Sequence, residues 1–476
     1  MSLERWDLSG LALCVVLLGC TEDGTPTGAA PSQSTSLGRN EPSPNLDPSV
    51  APNVDPAAPG AEASEASPSQ AETNPAMAAG TPLSGMPGTA PGGAEMPTLP
   101  EEPGAAPPVD TSLKVLAPSD ANITYWGRVD LSDPTVATYA APGVTVTVRF
   151  RGEAIAVLLG DEFRYGNERG FHDVLVDGQL QSPIALQNGT DRYAVASGLG
   201  PGEHSVSLVK RTQAQLGKAL FRGFEINGEV LPPAPAPSLA IEFIGDSITA
   251  GEGVEGANGS AECGQNALGQ PGGWGQPVHN ANRSYGVVAA RALNAEFQLT
   301  AVSGIGLVRN YSQMYDARTM PDVYDLMFAE EMASIPWDHA RYTPDVVVVA
   351  LGTNDFSPGD APADQPRAKL DVGAYTDAYV QFVSRLRGLY PEAEIFALTS
   401  QLLSDGSPDA SYRSATDLQT AVTNVAQRLN TQGDSRVHSF VTMRVSGLGC
   451  SGHPNVQQSE QLGLQLATEI RSVLGL

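Results

Sequence analysis

The stretch Leu239-Ala-Ile-Glu-Phe-Ile-Gly-Asp-Ser-Ile-Thr-Ala-Gly-Glu-Gly253 decides the reading of the second half of this chain. A mostly apolar run stops at Gly245, and an Asp-Ser pair and further small residues follow. A buried strand that ends in glycine and turns presents its next side chain, here Ser247, at the carboxyl edge of a sheet. That edge is where open α/β sheets place their ligands.

Downstream, strand and helix patterns alternate. Strands are expected over 239–244, 297–302, 345–351, 394–399 and 439–445, and helices over 284–293, 372–389, 415–429 and 457–474. Such alternation builds a doubly wound parallel sheet with helices on both faces. The unbroken apolar run over 346–350 suits a strand covered on both sides.

Four polar blocks follow strand ends in this pattern: Ser247, then Ser303-Gly304, then Gly352-Thr-Asn354-Asp355, and finally His453-Pro454-Asn455 before the last helix. Their chemistry is complementary. A serine hydroxyl is a weak nucleophile until a base takes its proton, and histidine has the pKa for that task. Attack on an ester creates an oxyanion, for which the candidate donors are the Ser247 N–H, the Gly304 N–H and the Asn354 amide. Asp246 and Asp355 read as loop-holding hydrogen-bond acceptors. Trp274 and Trp337 are candidates for stacking on a sugar ring.

The four blocks, in this order and spacing, resemble the SGNH or GDSL hydrolase superfamily over 238–476. Within it, Ile244-Gly-Asp-Ser-Ile-Thr249, Ser303-Gly304 through Arg309-Asn-Tyr311, Gly352-Thr-Asn-Asp-Phe-Ser357 and Gly449-Cys450 through His453-Pro-Asn455 are similar to carbohydrate esterase family 2. That resemblance implies a serine esterase, Ser247 and His453 catalytic, removing acetyl groups from cell-wall polysaccharide such as xylan or glucomannan. It implies no metal or other cofactor, and no cluster of His, Cys or carboxylates in the sequence suggests a metal site. Many enzymes of the superfamily place an aspartate three residues before the histidine; here that residue is Cys450. A backbone carbonyl in the loop 447–452 is one expected substitute, and a distant acid such as Asp338 is the other. Two rival functions fit the same residues: a lipolytic or thioester hydrolase on the same fold, and a catalytically weak carbohydrate-binding surface lipoprotein.

Upstream, residues 113–231 carry short alternating runs such as Val144-Thr-Val-Thr-Val-Arg-Phe150, separated by Asp-Gly and Asn-Gly turns. These read as a β-sandwich, and 210–217 with 221–224 resembles the end of the family's N-terminal jelly-roll domain. The Pro-rich segment 232–237 marks its boundary. Residues 21–112 hold 18 of the 38 prolines and no Phe, Trp or Tyr, so they cannot bury enough apolar surface to fold and are expected to form a tether.

Residues 1–20 read as an export signal whose apolar run is too short for a permanent span. Leu17-Leu18-Gly19-Cys20 resembles a bacterial lipobox. That implies a lipid-anchored Cys20 at the outer membrane or cell surface. Cys263 and Cys450 then remain, as a disulfide in an exported protein or as two free thiols. The formal charge of -26 over 476 residues repels phosphate backbones and argues against nucleic acid as a partner. A monomer acting on an acetylated polysaccharide is the expected state.

Overall fold

The computed structural model describes residues 113–166, 169–311, 318–331, 333–359 and 367–476. The export signal, Cys20 and the tether lie outside the described residues.

The first part is all antiparallel. Its strands are β1 (Leu113–Leu116), β2 (Ile123–Trp126), β3 (Asp130–Asp133), β4 (Val136–Tyr139), β5 (Thr145–Asp161), β6 (Phe171–Val176), β7 (Gln179–Leu180), β8 (Ile184–Ala185), β9 (Arg192–Ser197), β10 (Glu203–Lys210) and β11 (Ala219–Leu231). The run 144–150, expected as a short strand, is the first part of one long strand, β5, that continues to Asp161. Its first part pairs with β2 and β10 and its later part with β9, while β11 runs beside it from 149 to 161 with a register shift between Asn227 and Glu229. Gly152 permits the close approach at that shift, because a Cβ there would lie 1.7 Å from the Asn227 carbonyl oxygen. Val146, Phe150, Val157, Phe221 and Phe224 fill the space between the layers.

The second part is a five-stranded parallel sheet of β12 (Ala240–Gly245), β13 (Glu296–Ala301), β14 (Val346–Ala350), β15 (Glu394–Leu398) and β16 (Val437–Phe440), in the order β13-β12-β14-β15-β16. Val347 and Val349 join the core under helices α5 (Val372–Leu389) and α6 (Ser414–Thr431). Val346 and Val348 join the core under α2 (Tyr285–Ala292) and α7 (Val456–Leu474). This alternation explains the unbroken valine run: each face takes every second residue. The last strand lies earlier than the expected 439–445. Val441 and Met443 are exposed, so the chain beyond Phe440 has no apolar face to add to the sheet.

The two parts are joined through buried charge. Glu242, fully buried in the middle of β12, accepts from Thr300 Oγ1 at 2.6 Å, Tyr324 Oη at 2.7 Å and Gln298 Nε2 at 2.9 Å. Its ion-pair partner is Arg128 from the sandwich, at 3.4 Å. Arg128 also donates to the carbonyls of Tyr324 and Leu326. A second joint sits at the end of β10, where buried Arg211 pairs with Asp173 at 3.1 Å and with Glu255, and donates to the Pro277 carbonyl at 3.0 Å.

Replacing one member of a buried ion pair strands the other. Arg128→Leu is therefore expected to lower the unfolding free energy by about 3–5 kcal/mol, measured by denaturant titration. A loss below about 1 kcal/mol, the scale of an exposed pair, would contradict this account.

Candidate active site

The order of the parallel strands reverses at β12, between β13 and β14, and the polar blocks meet at that switch point. Ser247 opens the one-turn helix α1 (Ser247–Ala250), whose start is capped by Asp246 accepting from the Ile248 N–H at 3.0 Å. Gly304 follows β13 with φ of +80°, a conformation that glycine adopts without strain. Asp355 holds the rest of that loop by accepting the N–H groups of Val308, Leu307 and Arg309 at 2.7, 2.9 and 3.0 Å. Asn354 lies in the short helix α4 (Thr353–Phe356) that follows β14.

His453 Nε2 is 2.7 Å from Ser247 Oγ. Its Nδ1 is 3.1 Å from the carbonyl oxygen of Cys450. A carbonyl can only accept, so the ring proton sits on Nδ1 and Nε2 is left as the acceptor for the Ser247 hydroxyl. This is the geometry of a serine activated by a neutral imidazole. Asp338 is not involved; its carboxylate accepts from the Ala340 N–H in a separate turn.

The Cys450 carbonyl is firmly placed. Cys263 and Cys450 form a disulfide, with sulfurs 2.05 Å apart. The Cys450 N–H donates to the Gly253 carbonyl at 3.0 Å, and a Cβ on Gly253 would lie 2.6 Å from Cys450 Cβ. The histidine loop therefore packs directly on the turn that follows Ser247. Beyond His453, Asn455 and Gln458 exchange backbone-to-side-chain hydrogen bonds that fix the start of α7.

Gly304 and Asn354 line the same cleft as Ser247 and His453. Among the described residues, no backbone acceptor takes the N–H of Ser247 or of Gly304. Asn354 Nδ2 donates to the Ile305 carbonyl at 2.8 Å and more weakly to Asp246 Oδ2 at 3.2 Å. The amide is thus held at the cleft, with its longer bond the one available for exchange.

The cleft has a volume of ≈ 750 Å³. Its walls include residues that the sequence patterns did not single out. Tyr165, Gln213, Gln215 and Leu216 come from the sandwich, and Glu252 comes from the turn just after α1. Glu252 Oε2 lies 3.9 Å from His453 Nε2, on the serine side of the ring. Burial opposes its ionisation; attraction to any proton carried by His453 or His279, and hydrogen bonds from Ser303 and Gln213, work against burial and hold its carboxyl below the usual range. His279 also lines the cleft. Its Nδ1 accepts the Gly253 N–H at 2.7 Å and its Nε2 donates to the Trp274 carbonyl at 2.7 Å. An Nδ1 that accepts carries no proton, so the ring is neutral in this arrangement, and burial, which pushes its pKa down, acts in the same direction.

The two tryptophans part company. Trp274 lines the cleft, 53% exposed, with Tyr165 edge-on at 5.0 Å. Trp337 does not stack on a ligand there. It is buried in a separate cluster between the Arg128 and Arg341 guanidinium groups, at 5.3 and 5.0 Å from its ring, where cation–π contact and packing account for it.

Residues 125–235 match the family model described as the N-terminal part of carbohydrate esterase 2, and residues 243–457 match the GDSL-like lipase/acylhydrolase family. The chain is 33% identical over 359 residues to the cellulase/esterase CelE of Acetivibrio thermocellus, covering 74% of this chain and 40% of that relative. It is 27% identical over 365 residues to an acetylxylan esterase / glucomannan deacetylase of Cellvibrio japonicus, covering 76% of this chain and 92% of that one. A solved family two carbohydrate esterase from Clostridium thermocellum, in complex with cellohexaose, superposes with a TM-score of 0.64. Its identity is 31%, over 74% of this chain and 99% of that one.

Two measurements check this geometry. Reducing the Cys263–Cys450 disulfide should free the carbonyl that holds His453 and lower kcat for an acetyl ester by about 10- to 100-fold, the scale of a misplaced catalytic group. Unchanged turnover after confirmed reduction would contradict that role. Burial pushes the Asp246 carboxyl up to about 6 from 3.8. The folded state therefore binds this proton more tightly than the unfolded one. The resulting stability is present below pH ~4 and is lost as pH rises through ~6, amounting to roughly 3 kcal/mol. Asp246→Asn should flatten the stability profile across that window; an unaltered slope would contradict the assignment.

Proposed function

Because the chain belongs to carbohydrate esterase family 2, we propose that it is a serine esterase that removes O-acetyl groups from carbohydrate, with cell-wall polysaccharides such as xylan or glucomannan as substrates. The observation that carries this reading is the 2.7 Å contact between His453 Nε2 and Ser247 Oγ, with Nδ1 fixed by the Cys450 carbonyl.

In the reaction, Ser247 Oγ attacks the acetyl carbonyl carbon while His453 Nε2 takes the hydroxyl proton. The carbonyl oxygen becomes an oxyanion, which the N–H groups of Ser247 and Gly304 and the Asn354 amide stabilise. Losing one such donor typically costs about 2.7–4 kcal/mol of barrier. The tetrahedral intermediate collapses to an acetyl ester on Ser247, and His453 gives its proton to the departing sugar oxygen. Water then enters, loses a proton to His453 and attacks the acetyl group. Acetate leaves, and Ser247 recovers its proton. No carboxylate is needed at Nδ1, because the Cys450 carbonyl selects the tautomer and orientation that an aspartate would otherwise set. The missing aspartate at position 450 is then no argument for a catalytically weak, carbohydrate-binding protein.

Trp274 offers an exposed aromatic face to a sugar ring beside the nucleophile. The cellohexaose held by the Clostridium thermocellum relative supports a glycan chain in this cleft. The protein acts as a monomer, held at the outer membrane or cell surface by lipid on Cys20. The tether, rich in proline, sets the catalytic part away from the membrane.

Ser247→Ala should reduce acetate release from acetylated glucomannan by about 10⁴-fold or more, with an unchanged melting temperature. Retained activity would refute the nucleophile. Comparable turnover of acetyl and long-chain acyl esters by the wild type would favour a lipolytic enzyme instead.

A further inference from the structure

Glu252 is the one charged residue among the described aspartates, glutamates, lysines and arginines that line the cleft. It sits next to the chemistry rather than at the rim. Its N–H donates to the Ser247 carbonyl at 3.0 Å, which ties its backbone to the nucleophile turn. Its carboxylate accepts from Ser303 and Gln213, one from each side of the cleft. A carboxylate has about four lone-pair sites, so these two bonds leave capacity for a ligand.

The position of the substrate follows from the mechanism. The departing sugar oxygen must come within about 2.6–3.2 Å of His453 Nε2 to receive its proton. Glu252 Oε2 is 3.9 Å from that same nitrogen. Substituents on the sugar carbons next to the ester therefore fall within reach of the carboxylate. A hydroxyl there can donate to it. A carboxylate there meets a like charge, with no lysine or arginine among the described lining residues to offset it. His279 adds no compensating charge, because its Nδ1 is committed as an acceptor. The excess of 53 acidic over 27 basic residues repels a polyanionic glycan at longer range as well.

We propose that Glu252 sets the charge specificity of this cleft: it accepts a hydrogen bond from a sugar hydroxyl neighbouring the departing oxygen and rejects acetyl esters carried on uronic-acid units. The substrate class is thereby narrowed to acetylated neutral sugars. This inference rests on the esterase reading above.

The test uses a monoacetylated methyl glucuronide and its uncharged carboxamide, with the acetyl at the same position, and a monoacetylated methyl glucoside as reference. The wild type should hydrolyse the carboxamide with a kcat/KM about tenfold above that of the glucuronide, a difference of about 1.4 kcal/mol. Glu252→Gln should shrink that preference to about twofold or less by speeding up the glucuronide. A carboxylate that only braced Ser303 and Gln213 would change both substrates alike and leave the ratio intact. Equal rates by the wild type, which needs no variant to establish, would overturn the inference, as would a preference that survives Glu252→Gln. No acetate from the glucoside would instead overturn the esterase reading itself.

Discussion

The hydrogen bond from His453 Nδ1 to the carbonyl oxygen of Cys450 is the constraint on which the site depends. Without a partner at Nδ1, the imidazole could carry its proton on either nitrogen and rotate about its own axis, and Ser247 would have no base. A main-chain carbonyl is a neutral acceptor, so it orients the ring without adding a further carboxylate to Asp246, Asp355 and Glu252. What a carboxylate gains through charge, this arrangement supplies through rigidity. The disulfide to Cys263, the Cys450 N–H bond to Gly253 and the capping pair at the start of α7 immobilise the short segment that presents the oxygen.

The sheet supplies the rest of the convergence. Three consecutive parallel strands in space, β13, β12 and β14, deliver Gly304, Ser247 and Asn354 to one edge. Asp246 and Asp355 then set the turns by accepting backbone N–H groups, at the cost of burying carboxyls whose pKa values burial pushes up. The sandwich is more than an attached module. It contributes one wall of the cleft through Gln213, Gln215 and Leu216, and is fastened to the sheet by Arg128 and Arg211, whose charges are buried and paired. Breaking either joint would displace that wall relative to Ser247.

The legible and illegible parts of the site differ in physical kind. The parallel sheet could be read because each strand is a local apolar run ended by glycine or a small polar residue, and because Ser247, Gly304 and Asn354 follow those ends directly. The absence of an aspartate at position 450 was equally visible. The oxygen that replaces it was only a general expectation for the loop, since which carbonyl faces the ring depends on backbone dihedrals such as the φ of +55° at Ser451. Glu252 lay in view within the opening stretch, but nothing local distinguishes a cleft-facing glutamate from a solvated one. Gln213 and Tyr165 were hidden because strand alternation does not say which loop of a sandwich meets a neighbouring sheet. Trp337 misled for the same reason: its neighbours in sequence do not reveal Arg128, which reaches it from the other part of the fold.

In the proposed mechanism Ser247 is a nucleophile only because His453, held by the Cys450 carbonyl, removes its proton. The most direct measurement is labelling with a serine-reactive fluorophosphonate, followed by peptide mapping by mass spectrometry. A single adduct on Ser247 is expected, and it should be lost in a folded His453→Ala protein. An adduct on another residue, or undiminished labelling of Ser247 in that variant, would contradict it.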